Sequence, residues 1–376
     1  MPTTDSTAGK ATAPSPGGTV VTVTGEVSAD ALGAVLPHEH LLSSFATPGD
    51  TAESWAAVGR TRPTAASRLK FYRAPLTMEL LGEVIMGAPN RDNWLLDDEE
   101  LAAAEVTAFQ HAGGTTLVDV TTVGLGRRPD GLRRISAATG LNIVMGAGRY
   151  HPAWTAGPDR PGPGPGPGPG PENLTDEIVR DLTVGVDGVR AGIIGELAAL
   201  DPREPAERTI LIAAARASAA TGAAISLSRS EDADTQQRVL DLLAEEGADL
   251  ARVAVGHCDA LSPRLDELEP LLERGVFVQF DQLGRLPTVF STFDDQDVIT
   301  AVLELVRRGR TAQILLSHDV NSKAQLLAYG GGGYGFLLQQ LLPHLKMRGA
   351  ADALLDSLTV HNPARLLAIA DRKADS

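Results

Sequence analysis

The chain has 376 residues, 43% of them hydrophobic but only 4% aromatic, with 39 Gly and 24 Pro, enough for one large domain or two ordinary ones. Asp and Glu (48) outnumber Lys and Arg (33), so the net charge of −15 at pH 7 repels nucleic-acid phosphates and anionic lipid, and neither is expected as a partner. The single cysteine, Cys258, excludes an internal disulfide framework and an all-cysteine metal cluster, and neither a signal-like start nor an apolar run of about 18 residues occurs. A soluble, cytoplasmic protein acting on a small-molecule substrate is expected.

Residues 1–17 are mostly Thr, Ser, Ala, Pro and Gly with almost no bulky apolar side chains, and are expected to form a disordered leader before a domain spanning 18–370 and a tail at 371–376. Thr19 to Val27 alternates Val and Thr like an exposed strand, half of a small hairpin. Eight short apolar, β-branched runs follow: Gly33–His38, Thr115–Thr121, Asn142–Gly148, Ala191–Glu196, Ala223–Ser228, Val253–Cys258, Val276–Asp281 and Gln313–Asp319. Between them lie helical patterns with apolar spacing near 3.6, such as Asp98–Gln110, Ala206–Ala220, Thr235–Glu246 and Asp297–Arg308. Eight such repeats favour an α/β fold of the closed (β/α)8 TIM-barrel type over an open sheet. The interval Ser43–Leu96, after strand one, is long and poorly periodic, and reads equally as a substrate wall or as a structural cover. Gly157–Pro171 is a Gly-Pro repeat that supports neither helix nor sheet, read as an insertion within the domain, with a linker between two domains as the alternative.

In such a barrel the working residues sit at the C-terminal ends of the strands. His38 and His40 close strand one at i and i+2, projecting to one side of an extended chain while Glu39 faces the other. Strand four ends in Glu196, strand six in His257, Cys258 and Asp259, and strand eight in His318 and Asp319. A lone strand-end histidine is usually structural, but candidates in register on one rim point to a metal site, and a mixture of imidazole and carboxylate suits a divalent ion, with zinc the default. Alternation places His318 toward the outer helices. Cys258, next to His257, reads as buried and inert. Gly330–Gly335 formally satisfies G-x-G-x-x-G but follows no strand, so a tight turn near the rim is expected rather than a dinucleotide site. No G-x-S-x-G elbow is present, which leaves a serine hydrolase of the α/β type without support.

The segments TVTGEVSADALGAVLPHEHL, LVDVTTVGLGR, AGIIGE, VAVGHCD, ILLSHD, YGGGGYGFLL and TVHNPARLLA together resemble the phosphotriesterase family of the amidohydrolase superfamily, especially its phosphotriesterase-related branch, from about Val20 to Ala370. The resemblance implies a (β/α)8 barrel, a binuclear metal centre that activates hydroxide against phosphoesters, lactones, carboxylic esters or N-acyl amides, and a possible homodimer. It makes His38, His40 and Asp319 look like ligands of the more buried ion and His257 a ligand of the second, with Glu196 where many members carry a bridging carbamylated lysine. One departure stands out: the family's histidine at the end of strand five is replaced by Ser228, and a neutral hydroxyl is a poor zinc ligand. His38, His40, Glu196 and Asp319 still surround one ion, while the second is doubtful; His151 is a candidate replacement, though a loop histidine is the plainer reading.

Asp319 is the candidate proton acceptor in hydrolysis of a small ester, lactone or amide. Arg149, Tyr150 and Arg229 lie where a substrate oxyanion or carboxylate could be held, although salt bridges explain the arginines as well. The alternatives are a catalytically impaired metal-binding or ligand-binding homologue, and a lyase or isomerase using one ion as Lewis acid.

Overall fold

The computed structural model describes residues 17–154 and 169–369. The expected disordered leader, most of the Gly-Pro segment and the tail fall outside these residues. Pro171, assigned from sequence to the insertion, instead opens a helix, because proline has no N–H to lose in a first turn.

Eight parallel strands form the barrel: β1 (Ala34–Glu39), β2 (Gly114–Asp119), β3 (Asn142–Ala147), β4 (Ile193–Leu197), β5 (Ala224–Ser228), β6 (Val253–Gly256), β7 (Phe277–Phe280) and β8 (Ile314–Leu316). Each neighbours its sequence successor. The circle closes between β8 and β1 outside regular ladder pairing: Asp319 N–H donates to the His38 carbonyl at 3.1 Å and His40 N–H to the Val320 carbonyl at 3.2 Å. Glu39 reinforces this seam, accepting from Ser317 Oγ (2.8 Å), His318 N (2.8 Å) and Val320 N (2.9 Å). Its direction, away from the two flanking histidines, follows from strand alternation.

The same period of two builds the two apolar layers. Val35, Val118, Val144, Ile193, Ala224, Ala254, Phe277 and Leu315 fill the barrel interior, one from each strand. Their neighbours, such as Leu36, Leu117, Ile143 and Ile225, pack outward against the helices. These helices include α1 (Glu99–His111), α2 (Pro129–Thr139), α3 (Pro171–Thr183), α4 (Pro205–Thr221), α5 (Ala233–Glu245), α6 (Glu269–Glu273) and α7 (Asp295–Arg307). Asp98, Asp232 and Asp294 cap α1, α5 and α7 by accepting from first-turn N–H groups, which explains where those helices begin.

Thr19–Val27 is not half a hairpin but nearly all of one: Thr19–Thr22 and Gly25–Ser28 pair with each other, with Gly25 at φ 135° in the turn. Nor is the first strand exposed, since Val20 and Val21 are buried. Val23 N–H reaches the Ile143 carbonyl near the start of β3 at 2.8 Å, so the hairpin covers the end of the barrel remote from the strand C-termini. The opposite end is the mouth.

The interval after β1 holds three short helices, Ala52–Ala57, Ala66–Arg73 and Met78–Ile85, and a pairing of Ser43–Ser44 with Leu95–Leu96. Trp55 and Tyr72 are buried within it, and it docks on the segment after β8 through Lys323–Asp92 (2.8 Å) and Ala324 N to Asn93 Oδ1 (2.9 Å). Phe45, Arg60 and Trp94 of this interval also line a cavity at the mouth.

Candidate metal centre at the barrel mouth

His38 and His40 point together into the mouth from the end of β1, their ring centroids 5.8 Å apart and both side chains fully buried. Their Nδ1 atoms face outward to partners. His38 Nδ1 lies 2.9 Å from Gln279 Nε2 and 3.3 Å from Asp281 Oδ2, and His40 Nδ1 lies 2.8 Å from Thr121 Oγ1. Both Nε2 atoms are buried without a hydrogen-bond partner. A buried imidazole nitrogen left unpaired is costly, so its surroundings matter.

What surrounds them is carboxylate. Glu196 Oε2 is 3.6 Å from the Nε2 of each histidine, and Asp319 Oδ1 is 3.9 Å from His38 Nε2 and 3.5 Å from His40 Nε2. These separations are long for hydrogen bonds. They are close to the spacing of about 3.3 Å between two ligands each 2.0–2.1 Å from a tetrahedral ion. His38, His40 and Asp319 therefore form one grouping suited to a divalent cation, and Glu196 Oε2 lies 3.6 Å from both of its imidazoles as a fourth donor.

The electrostatics agree. Burial alone would push the His38 imidazole down, yet Glu196, Asp281 and Asp319 raise it to about 9, and Glu196, despite its own burial, is held well below the usual carboxylate range by His38 and His257. A nest of buried carboxylates that draws positive charge onto an imidazole is a nest that attracts a metal ion.

Glu196 spans two positions. While Oε2 faces His38 and His40, Oε1 lies 3.2 Å from His257 Nε2 and accepts from Ser228 Oγ at 2.6 Å. Among the described residues the second grouping of candidate ligands is Glu196, His257 and His38, with His38 common to both groupings and Ser228 acting as donor to the Glu196 carboxylate. His151 does not fill the gap: its Nε2 is 3.3 Å from Glu207, and its Nδ1 accepts from Ala153 N at 3.1 Å.

His257 (φ 57°) and Asp319 (φ 49°) both adopt the left-handed conformation, shared by one other non-glycine residue described, Asp187. Such conformations cost on the order of 1–3 kcal/mol each and persist where the surroundings enforce them. Here the partners do so. Asp281 Oδ1 accepts from His257 N (3.0 Å) and lies 2.8 Å from His257 Nδ1, while Asn321 Nδ2 and Arg285 hold the Asp319 carboxylate at 2.9 and 2.6 Å.

Asp281, just beyond β7, was not singled out from sequence, although it orients two of the histidines. Burial works to raise it, but His257 and His38 lower it to about 2. Asp259 steadies it by accepting from Asp281 N at 3.0 Å. The available signal was its position, an acid at the end of a barrel strand. Tyr334 was also missed: buried in the Gly-rich turn, it donates from its hydroxyl to the His40 carbonyl at 2.7 Å. That turn does lie at the rim. His318 accepts from Leu337 N on one ring nitrogen and faces the Leu283 carbonyl with the other, outside the cluster, and Cys258 is buried.

Of the three residues proposed from sequence to hold substrate, Tyr150 lines the cavity, a space of about 160 Å³ shared with Phe45, Arg60, Trp94, Glu196, His257, Asp319 and Asn321. Arg149 is directed elsewhere, into an ion pair with Glu177 at 2.9 Å. Arg229 is committed to backbone carbonyls, of Ser230 at 2.8 Å and His257 at 3.4 Å. The expectation for these two is corrected: neither lines the cavity, and Arg60 does.

An eight-stranded parallel barrel with imidazoles and carboxylates gathered at its strand C-termini is the architecture of a metal-dependent hydrolase. The model of the phosphotriesterase family matches residues 18–367, and the chain belongs to that family. It is 30% identical to the human (Homo sapiens) N-acetyltaurine hydrolase, covering 93% of this chain and 98% of that one. Among solved structures, a resiniferatoxin-binding protein from Rhodobacter sphaeroides superposes with a TM-score of 0.82 at 35% identity, covering 93% of this chain and 95% of the other. An organophosphorus hydrolase from Deinococcus radiodurans does so at 0.67 and 27%, covering 93% and 96%.

Proposed function

We propose that this protein hydrolyses a small N-acyl amide, with esters and lactones as further substrates, using one tightly held divalent ion, zinc by default. The observation that carries this reading is the pair of buried, unpartnered Nε2 atoms of His38 and His40 facing the carboxylates of Glu196 and Asp319. Relatives named N-acetyltaurine hydrolase, 29% and 30% identical over nearly the whole chain, favour an amide among the possible bonds.

His38, His40, Glu196 and Asp319 would hold the ion. When bound, such an ion polarises the scissile carbonyl and makes water more acidic. Asp319 faces the cavity with its carboxylate fixed by Asn321 and Arg285, and is the group that accepts the water's proton and returns it to the leaving amine. Tyr150 keeps its phenolic proton, since burial and then Glu196 and Asp319 raise it well above its ordinary value, and it serves as a hydrogen-bond donor at the cavity wall. The packed rings of Phe45, Tyr150 and Trp154, 5.8–5.9 Å apart, limit water on that side.

A cytoplasmic location and a homodimer accompany this reading. Support for the first is the acidic chain with one buried cysteine, and that no described helix is long and apolar enough to cross a membrane. A second reading, a ligand-binding homologue without turnover, is favoured by Ser228 at the second position and by the binding protein among the structural neighbours. One experiment separates the two: plasma mass spectrometry after equilibration with limiting zinc, followed by assay of N-acetyltaurine, a small lactone and an aryl acetate with and without chelator. Bound metal with chelator-sensitive turnover supports the hydrolase; bound metal without any turnover supports the binding protein.

A further inference from the structure

Arg60 has an unusual position for an arginine in so acidic a chain. It comes from the long interval after β1, is half-buried, and lines the same cavity as Glu196, His257 and Asp319. No carboxylate among the described residues forms an ion pair with it. Its guanidinium makes one hydrogen bond among them, from NH1 to the Phe45 carbonyl at 2.7 Å, and lies 3.8 Å from the Trp94 ring centroid. Stacking secures the flat face of the guanidinium and leaves its planar edge of N–H donors to be matched by something else. No other residue lining the cavity carries a permanent positive charge; the remainder are aromatic, amide, imidazole or carboxylate.

A half-buried cation paired with no described carboxylate, lining a cavity that Glu196, His257 and Asp319 of the candidate metal centre also line, calls for an anion supplied from outside. Glu196 and Asp319 are directed at the histidines and at Arg285, not at Arg60. The cavity, about 160 Å³, is small. It suits an acyl group at the metal end and a short chain ending in one compact anion at the other.

We infer that Arg60 is a specificity-determining residue that receives a terminal carboxylate or sulfonate of the substrate, so that the acyl compound this enzyme prefers is an anion. The inference rests on the hydrolase reading for its substrate but not for its site, because an anion bound at Arg60 is measurable without turnover. The guanidinium fork pairs two oxygens at once, so charge and geometry both contribute.

The test uses the zinc-loaded full chain and two matched probes, N-acetyltaurine and its neutral sulfonamide counterpart, in kinetic and calorimetric titrations. Wild type should prefer the sulfonate by roughly tenfold or more in kcat/KM or in affinity, the size expected for a charge-assisted pair. Arg60→Gln should bring that ratio toward one, and Arg60→Lys should retain part of it. A purely structural Arg60, needed only to support Phe45 and Trp94, would depress both probes alike and leave the ratio unchanged, which would overturn the inference. So would equal treatment of the two probes by wild type, or no binding of either. Arg60-dependent binding of the sulfonate with no turnover would sustain the anion site and overturn the hydrolase; turnover without anion preference would do the reverse.

Discussion

Ser228 Oγ donates to Glu196 Oε1 at 2.6 Å, so the residue that ends β5 grips the carboxylate between the two candidate metal positions instead of contributing a ligand of its own. Ser228 pairs with Gly256 in register, one residue before His257, so an imidazole at 228 would start beside the second position. Ser228→His is therefore expected to raise bound zinc from about one ion per chain toward two, since imidazole is a good zinc ligand where a hydroxyl is not. Plasma mass spectrometry at saturating metal checks this; an unchanged stoichiometry would mean that something other than residue 228 limits the second position.

The eight strands were legible because each is a short β-branched run between helical periods, and the strand-end residues His38, His40, Glu196, His257 and Asp319 followed from barrel geometry. Asp281 and Tyr334 were not. Their roles depend on which side chains from distant strands and turns meet at the mouth, a property of packing that local spacing does not encode. Arg149 and Arg229 were placed correctly beyond β3 and β5, but a sequence does not reveal that Glu177 and two backbone carbonyls claim them first. Arg60 lay in the one interval without clear periodicity, where its neighbourhood is set by Phe45 and Trp94 folding back over the mouth.

Asp281 contacts both His38 and His257, and should therefore act on metal affinity without being a ligand. Its Oδ1, 2.8 Å from His257 Nδ1, favours the His257 tautomer that carries the proton on Nδ1 and directs the Nε2 lone pair toward Glu196. Asp281→Asn keeps the shape and removes the charge, and is expected to weaken zinc binding by roughly 10–100-fold. Competition with a chromogenic chelator measures this, and wild-type affinity in the variant would show that Asp281 serves the fold alone.

Glu39 is a stability residue set between two candidate ligands. Removing its carboxylate in Glu39→Ala leaves His318 N and Val320 N without their acceptor at the β8–β1 seam, while Ser317 Oγ keeps the His38 carbonyl at 3.0 Å. Unsatisfied buried donors cost about 1–3 kcal/mol each and are not fully additive, so a loss on the order of 3 kcal/mol is expected. Glu39→Gln retains one carbonyl oxygen and should lose less. Urea denaturation of the two variants gives the comparison, and equal losses would contradict the hydrogen-bond account of barrel closure.

Metal removal should be visible in stability as well as in activity. An ion that binds only the folded chain adds RT ln(1 + [L]/Kd), about 2.7 kcal/mol at a free concentration one hundred times Kd. Chelation of the zinc-loaded protein should therefore lower Tm, and re-addition of zinc should restore it. His38→Ala deletes one of the four donors around the first position, and its folded form should show little zinc-dependent shift. Because the comparison is between the same variant with and without zinc, any general destabilisation from the lost side chain cancels. A zinc-dependent rise in Tm as large in His38→Ala as in wild type would place the ion elsewhere and remove His38 from the centre.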